Sequence, residues 1–128
     1  MPIKTSSAKA KGWRLQQLVR DKILEIFPKL TSDDVRSTSM GATGEDILLS
    51  SAARKLFPYS VECKSRKNIA VYSDYDQAQN NCPDGAEPLV IMKANRRKPL
   101  ALVDADYFFK LLRKEKSKWA IYLMIQWA

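Results

Sequence analysis

The apolar run Pro88-Leu-Val-Ile-Met92, at the centre of the segment Glu87–Lys93, constrains the fold of this chain most strongly. A short apolar run of this length, followed by a basic turn at Asn95–Pro99, is typical of a buried strand. We therefore expect this segment to lie in the middle of a β-sheet.

Helical patterns stand on either side of this strand. Apolar residues recur at helical spacing from Trp13 to Phe27, and Pro28 ends that helix. A second helix is predicted over Tyr72–Asn81, and a third runs from a cap at Asp104 to about Lys118. Short helical turns are expected at 51–57, and further strands at Val35–Met40, Glu45–Ser50, Tyr59–Lys64 and Leu100–Val103.

This order of elements predicts an α/β fold, a single domain with a central mixed β-sheet flanked by helices. The domain is expected to occupy residues 12–128, after a flexible basic arm at 1–11. The length of 128 residues agrees with one domain. The apolar stretch Trp119–Ile125 is much shorter than the ~20 residues that span a bilayer, so we expect no membrane partner.

Charge and composition narrow the classes of function. The chain has 22 Lys and Arg against 14 Asp and Glu, a net charge of +8, which favours a polyanionic partner such as nucleic acid. There is no histidine, which excludes Ser-His-Asp triads and the usual histidine zinc sites. The two cysteines, Cys63 and Cys82, lack metal-ligand spacing. We expect a reduced, cytoplasmic protein whose chemistry depends on carboxylates, lysine and an oxygen-preferring metal.

One strand carries a pattern suited to such chemistry. Residues two apart in a strand point to the same face, so Glu62 and Lys64 project together, while Val61 and Cys63 face the core. A hairpin would bring Asp46 alongside them. Two carboxylates can hold magnesium or manganese, and a neighbouring lysine can position water and stabilise negative charge. A surface ion pair between Glu62 and Lys64 is the alternative interpretation.

The same residues carry a family resemblance. Gly44-Glu-Asp46, followed by Glu62-Cys-Lys64, resembles the PD-(D/E)XK nuclease superfamily of restriction-endonuclease-like fold. The stretch from Val35 through Lys64 is similar to small phage-encoded Holliday junction resolvase-like nucleases, and the similarity extends from about Trp13 to Leu112. The resemblance implies that Asp46 and Glu62 bind the metal and that Lys64 assists the water. It also implies a homodimer that cuts branched DNA with paired active sites, acting inside a host cell.

Further carboxylates are candidates for the metal site. Glu45 stands where the family usually has proline before the motif aspartate, so it either adds a ligand or faces solvent. Relatives often place an acidic residue of the first helix near the metal. Asp21 and Glu25 are the two candidates here, with Glu25 preferred, although helix-surface carboxylates near lysine and arginine are usually solvated.

Cationic and polar residues around these strands are candidates for phosphate contacts. Gln77 on the helix after the catalytic strand either contacts a metal-bound water or a phosphate, or lies on a polar surface. The remaining candidates for DNA binding are Arg36, Arg66 and Lys67, together with Lys93, Arg96, Arg97 and Lys98, for which a solvated charged turn is the alternative.

The sequence predicts a magnesium- or manganese-dependent endonuclease, most specifically a Holliday junction resolvase. A nicking, flap- or end-acting repair nuclease of the same fold, and a basic DNA-binding module without catalysis, are the alternatives. The apolar residues of Trp119–Trp127 either pack on the chain's own core or form a dimer surface.

Overall fold

A long helix covers one face of the domain in the computed structural model, which describes residues 2–38 and 43–127. Helix α1 spans Pro2–Ile26 and buries Leu15, Val19 and Ile23, which lie one above the other at four-residue spacing. The helix begins well before Trp13, where the apolar pattern starts, so the expected boundary at residue 11 is not an element boundary. Lysine and alanine in this stretch favour helix without any apolar periodicity.

The strands form a mixed arrangement, as expected. A two-stranded antiparallel sheet pairs β1 with β2, and a three-stranded sheet has the order β3-β4-β5, in which β3 and β4 are parallel and β4 and β5 antiparallel. The strands are β1 (Val35–Ser37), β2 (Ile47–Leu49), β3 (Tyr59–Ser65), β4 (Glu87–Lys93) and β5 (Leu100–Leu102). The prediction of an α/β domain with a mixed sheet and flanking helices is therefore confirmed.

Three further helices complete the fold. They are α2 (Ser51–Leu56), α3 (Val71–Asn80) and α4 (Ala105–Trp127). Ser50 caps α2 by accepting a hydrogen bond from the backbone N–H of Ala53 at 3.1 Å. Asp104 caps the first turn of α4, as expected, through the N–H of Tyr107 at 2.9 Å. Strand β1 ends at Ser37 and is shorter than the strand predicted at Val35–Met40. Positions 39 and 40 of that prediction lie outside the described residues, as do positions 41 and 42.

Strand β3 divides the core into two parts. Val61 and Cys63 are buried against α1 together with residues of β1 and β2. The opposite face packs against α3, where Val90 and Met92 of β4 meet Ala78. Because neighbours along a strand point to opposite faces, Glu62 and Lys64 lie on the α3 side. The alternation read from the sequence is confirmed.

Helix α4 leaves the domain as an arm. It continues to Trp127, beyond the expected end near Lys118, and none of its residues is buried. Its first turn is attached to the domain through its cap and through the hydroxyl of Tyr107, which forms a hydrogen bond with that of Tyr59. No helix in the described parts of the chain has the length and apolar character needed to cross a membrane.

Asp34 fastens the loop after α1 to the start of α2. One carboxylate oxygen accepts the backbone N–H of Thr31 at 2.8 Å, and the other accepts the hydroxyl of Ser50 at 2.7 Å. The backbone carbonyl of Asp34 also accepts the N–H of Ser50 at 2.9 Å. The N–H of Thr31 first, and then the hydroxyl of Ser50, hold the pKa of Asp34 below its ordinary value.

We expect Asp34→Asn to lower the melting temperature at pH 7, because the neutral amide accepts these hydrogen bonds less well. A lowered folded-state pKa stabilises the fold at pH values above the ordinary aspartate pKa, about 3.9. That stabilisation is lost as the pH falls through the folded-state pKa, so the difference between wild type and variant should shrink in acid. Thermal melts at several pH values measure it, with the exposed Asp84→Asn as control. If the difference in melting temperature between wild type and Asp34→Asn stays the same at every pH, the role given to the Asp34 charge is contradicted.

Candidate active site

Asp46 is held against the middle of β3. Its backbone N–H donates to the carbonyl of Val61 at 3.0 Å, which joins the two-stranded sheet to the larger one. Its side chain accepts a hydrogen bond from the backbone N–H of Cys63 at 2.7 Å. Backbone and side chain of Asp46 therefore bridge residues 61 and 63, on either side of Glu62. The expected placement of Asp46 beside the strand of Glu62 and Lys64 is confirmed.

Glu62 and Lys64 share the α3 side of β3. The Lys64 ammonium lies 3.5 Å from Glu62 Oε1, and the side chains of Lys64 and Glu62 are only 17% and 4% exposed. This is not the surface ion pair that was the alternative interpretation, because water has largely been removed from both groups. Glu62 and Lys64 therefore form a partly desolvated ion pair on the α3 side of β3.

Asp46 and Glu62 affect each other's ionisation unequally, because the charge of Asp46 raises the pKa of Glu62 whereas contact with Glu62 lowers the pKa of Asp46. Burial raises the pKa of Asp46 above its ordinary value, against the lowering effect of the Cys63 N–H and of Lys64. Burial also raises the pKa of Glu62, and the neighbouring charge of Asp46 raises it further. One lysine therefore faces a buried acid, Glu62, and a half-buried one, Asp46, and the cluster carries surplus negative charge when both are ionised.

Helix α3 supplies two amides to this cluster. Gln77 Oε1 accepts a hydrogen bond from the Lys64 ammonium at 2.7 Å, and Asn81 Nδ2 donates to Glu62 Oε2 at 3.4 Å. Gln77 was a candidate for contact with water or phosphate, and here it orients the lysine. Asn81 was missed in the sequence, although its spacing of four residues from Gln77 places both amides on one helix face.

The other acidic candidates do not join the cluster. Glu45 is held by Arg54, whose guanidinium contacts both of its carboxylate oxygens at 2.8 Å. Glu25 lies on the exposed surface of α1, 3.5 Å from Lys22, and Asp21 pairs with Arg20 at 2.9 Å. Within residues 2–38 and 43–127, no three His, Cys, Asp or Glu side chains gather in a way that could hold a metal. Of the proposed ligands, only Asp46 and Glu62 are together.

The candidates for DNA binding lie in different surroundings. Arg66 is engaged in an ion pair with Asp74, which is buried on α3. Lys93 ends β4 and is half-buried, whereas the following turn residues Arg96, Arg97 and Lys98 are exposed, as are Arg36 on β1 and Lys67 after β3. The turn is therefore the most accessible cluster of cations beside the sheet.

Comparison of the chain with protein-family models, with curated proteins and with solved structures finds no match.

The donor set fits a hard divalent cation. Asp46 and Glu62 provide carboxylate oxygens at one place, and burial has raised the pKa of both, so a positive charge there would be favourable. Magnesium is commonly held by one or two carboxylates, with water and substrate phosphate completing its shell. Two protein carboxylates are thus enough for magnesium or manganese.

We expect magnesium or manganese to raise the melting temperature of the wild-type protein, since a ligand that binds only the folded state stabilises it. At a free concentration of about 100 times Kd the gain is ~2.7 kcal/mol. Asp46→Asn and Glu62→Gln should abolish the gain, and in metal-free buffer both should melt no lower than wild type, because each removes one of two neighbouring charges.

The measurement is differential scanning fluorimetry with and without each metal, with the exposed Asp33→Asn as a charge-matched control that keeps the wild-type response. Equal metal-induced shifts in wild type and both site variants would show that the cation binds elsewhere.

Proposed function

We propose that this protein is a metal-dependent DNA endonuclease whose active site comprises Asp46, Glu62 and Lys64. One observation supports this most directly: a partly desolvated lysine lies beside the buried carboxylate of Glu62, and the half-buried carboxylate of Asp46 is bonded to the same strand. The surplus negative charge of the carboxylates favours a cation, and the net charge of +8 favours a polyanionic substrate. The motif resemblance to PD-(D/E)XK nucleases supports the same assignment.

Each residue has a distinct role in the proposed hydrolysis. Asp46 and Glu62 would hold magnesium or manganese, which when bound polarises a phosphate and lowers the pKa of water. Lys64 donates hydrogen bonds to the attacking water and stabilises the negative charge that develops on the phosphate oxygens. Gln77 fixes the direction of the ammonium, and Asn81 fixes the Glu62 carboxylate. The water oxygen bonds to phosphorus and gives up a proton to solvent, while the bond to the leaving sugar oxygen breaks and that oxygen takes up a proton from solvent.

The substrate is proposed to be branched DNA, with a Holliday junction as the specific case. The resemblance of the stretch from Val35 through Lys64 to resolvase-like nucleases supports this choice. The alternative substrates are flaps, ends and nicked duplexes, which the same chemistry would also cut. Catalysis therefore has to be tested separately from substrate preference.

We expect the wild-type protein to cut DNA only when magnesium or manganese is added. Asp46→Asn, Glu62→Gln and Lys64→Met should each lower kcat by about 10²–10³-fold or more, as for the loss of one preorganised charged group. Gln77→Leu should lower it less, because Lys64 keeps its charge and loses only its orientation. The assay compares four-way, flap, linear duplex and single-stranded DNA at equal concentration.

Exposed Asp33→Asn and Lys29→Gln serve as controls and should cut as wild type does. A protein that binds these DNAs and cuts none of them in any metal would be a DNA-binding module, and the nuclease proposal would fail. Equal cutting of linear duplex and four-way DNA would reject the resolvase assignment alone.

A second copy of the chain is the proposed partner of α4. A helix of this length is normally stabilised by packing, yet no residue of α4 is buried, and Trp119–Trp127 is apolar at almost every position. Two antiparallel copies of α4 crossing near Leu123 would cover these side chains. The basic stretch Lys110–Lys118 of each copy would then lie beyond the end of the other, which avoids repulsion between like charges. A two-fold dimer also matches the symmetry of a four-way junction.

We expect sedimentation equilibrium to show a dimer for wild type and a monomer for a double variant, Ile121→Gln with Leu123→Gln. These side chains are 57% and 51% exposed, so the fold of one chain should not depend on them. Leu56→Gln, on α2, changes an equally exposed leucine and should leave the dimer intact. A double variant that sediments as wild type does, or a wild type that stays monomeric at every concentration, would contradict the proposal.

A further inference from the structure

A groove of about 510 Å³ lies between the middle of α1 and the turn that joins β4 to β5. Its cationic lining comes from both sides: Lys11 and Arg14 project from α1, and Lys93 and Arg96 from the end of β4 and the turn. No carboxylate of residues 2–38 or 43–127 lines it. Among the described residues, none of these four cations takes part in an ion pair. We call this feature the basic groove.

The basic groove is held in shape by backbone and side-chain contacts. The Lys11 ammonium donates to Asn95 Oδ1 at 3.1 Å, which ties α1 to the turn. The turn is closed by a hydrogen bond from the N–H of Arg97 to the carbonyl of Ala94 at 3.1 Å. Arg96 has φ of 60°, in the left-handed region that non-glycine residues seldom adopt. Arg96 is the third residue of this turn, a position at which several turn types require a positive φ.

The basic groove begins where the candidate active-site strand ends. Ser65, which lines it, follows Lys64 directly in β3 and pairs with Lys93 in the parallel ladder. The N–H of Arg66 donates to the carbonyl of Lys93 at 3.1 Å, so both strands keep their pairing up to the edge of the groove. The groove therefore adjoins the end of β3 next to Lys64 but lies on the α1 side of the sheet, because Ser65 shares the face of Val61 and Cys63. Glu62 and Lys64 lie on the opposite, α3 side.

From this arrangement we infer that the basic groove binds the phosphate backbone of a DNA strand that passes around the end of β3 to reach Asp46, Glu62 and Lys64. Four cations spread over two elements fit successive phosphates better than one small anion. Leu18, 44% exposed on the wall, offers an apolar surface to the sugars between them. The sequence pattern indicated the turn cations but gave no role to Lys11 and Arg14. This inference rests on the proposed function, because it names the path of that enzyme's substrate.

The test is fluorescence anisotropy with a labelled four-way DNA and a labelled duplex, in calcium or without metal, so that binding is read without cutting. The variant carries Lys11→Gln and Arg14→Gln. Its matched control carries Lys29→Gln and Lys55→Gln, two exposed lysines outside the groove, so the net charge of both proteins is the same. Thermal melts check that the folds are equally stable.

We expect the slope of log Kd against log salt to fall by about 0.9 for each lost phosphate contact, or about 1.8 for the groove variant. At about 0.1 M salt its binding should weaken on the order of tenfold or more. The control should change much less. In the cleavage assay the groove variant should show a raised KM with kcat close to wild type, since the residues of the carboxylate cluster are intact.

Equal salt slopes in groove variant and control would overturn the inference while leaving the nuclease proposal standing, provided that wild type still cuts and Asp46→Asn does not. Displacement of DNA by a few millimolar inorganic phosphate at matched ionic strength would also overturn it, because the groove would then bind a small anion. If wild type neither binds nor cuts any DNA, the proposed function fails together with the groove.

Discussion

The structure around β3 depends on the placement of two carboxylates, those of Asp46 and Glu62, side by side in a partly desolvated region. Asp46 lies beside Glu62 because its backbone and its side chain both bond to β3, at Val61 and Cys63. Those two hydrogen bonds also join the small sheet to the large one. The contact that joins the two sheets therefore also brings the carboxylates of Asp46 and Glu62 together. The Lys64 ammonium offsets their negative charge, and the amides of Gln77 and Asn81 hydrogen-bond to Lys64 and Glu62.

The pleat of β3 places apolar side chains on one face of the strand and charged side chains on the other. Val61 and Cys63 supply the apolar core against α1, while Glu62 and Lys64 face α3. A substitution on one side of the strand therefore acts chiefly on packing and one on the other side chiefly on charge. The parallel ladder with β4 carries the same strand onward to the edge of the basic groove, so the core, the cluster and the groove are positioned by one continuous element.

Much of this could be predicted from the sequence, because periodicity reports which face of an element is buried. The strand over Glu87–Lys93, the shared face of Glu62 and Lys64 and the cap at Asp104 all follow from local patterns. Contacts between distant segments are not encoded in periodicity. The pairing of Glu45 with Arg54, the engagement of Arg66 by Asp74 and the contribution of Asn81 needed the three-dimensional structure. The polar start of α1 was missed because it buries no apolar stripe that a pattern could reveal.

The parallel pairing of β3 with β4 has a consequence for how the chain folds. Each residue of β3 pairs with the residue 28 positions later, so no turn of a few residues can bring the strands together. Bringing β3 and β4 together costs the conformational entropy of closing the segment between them, and α3 forms and docks within that segment. Gln77 lies in that intervening segment, so its hydrogen bond to Lys64 requires α3 to be docked on β3.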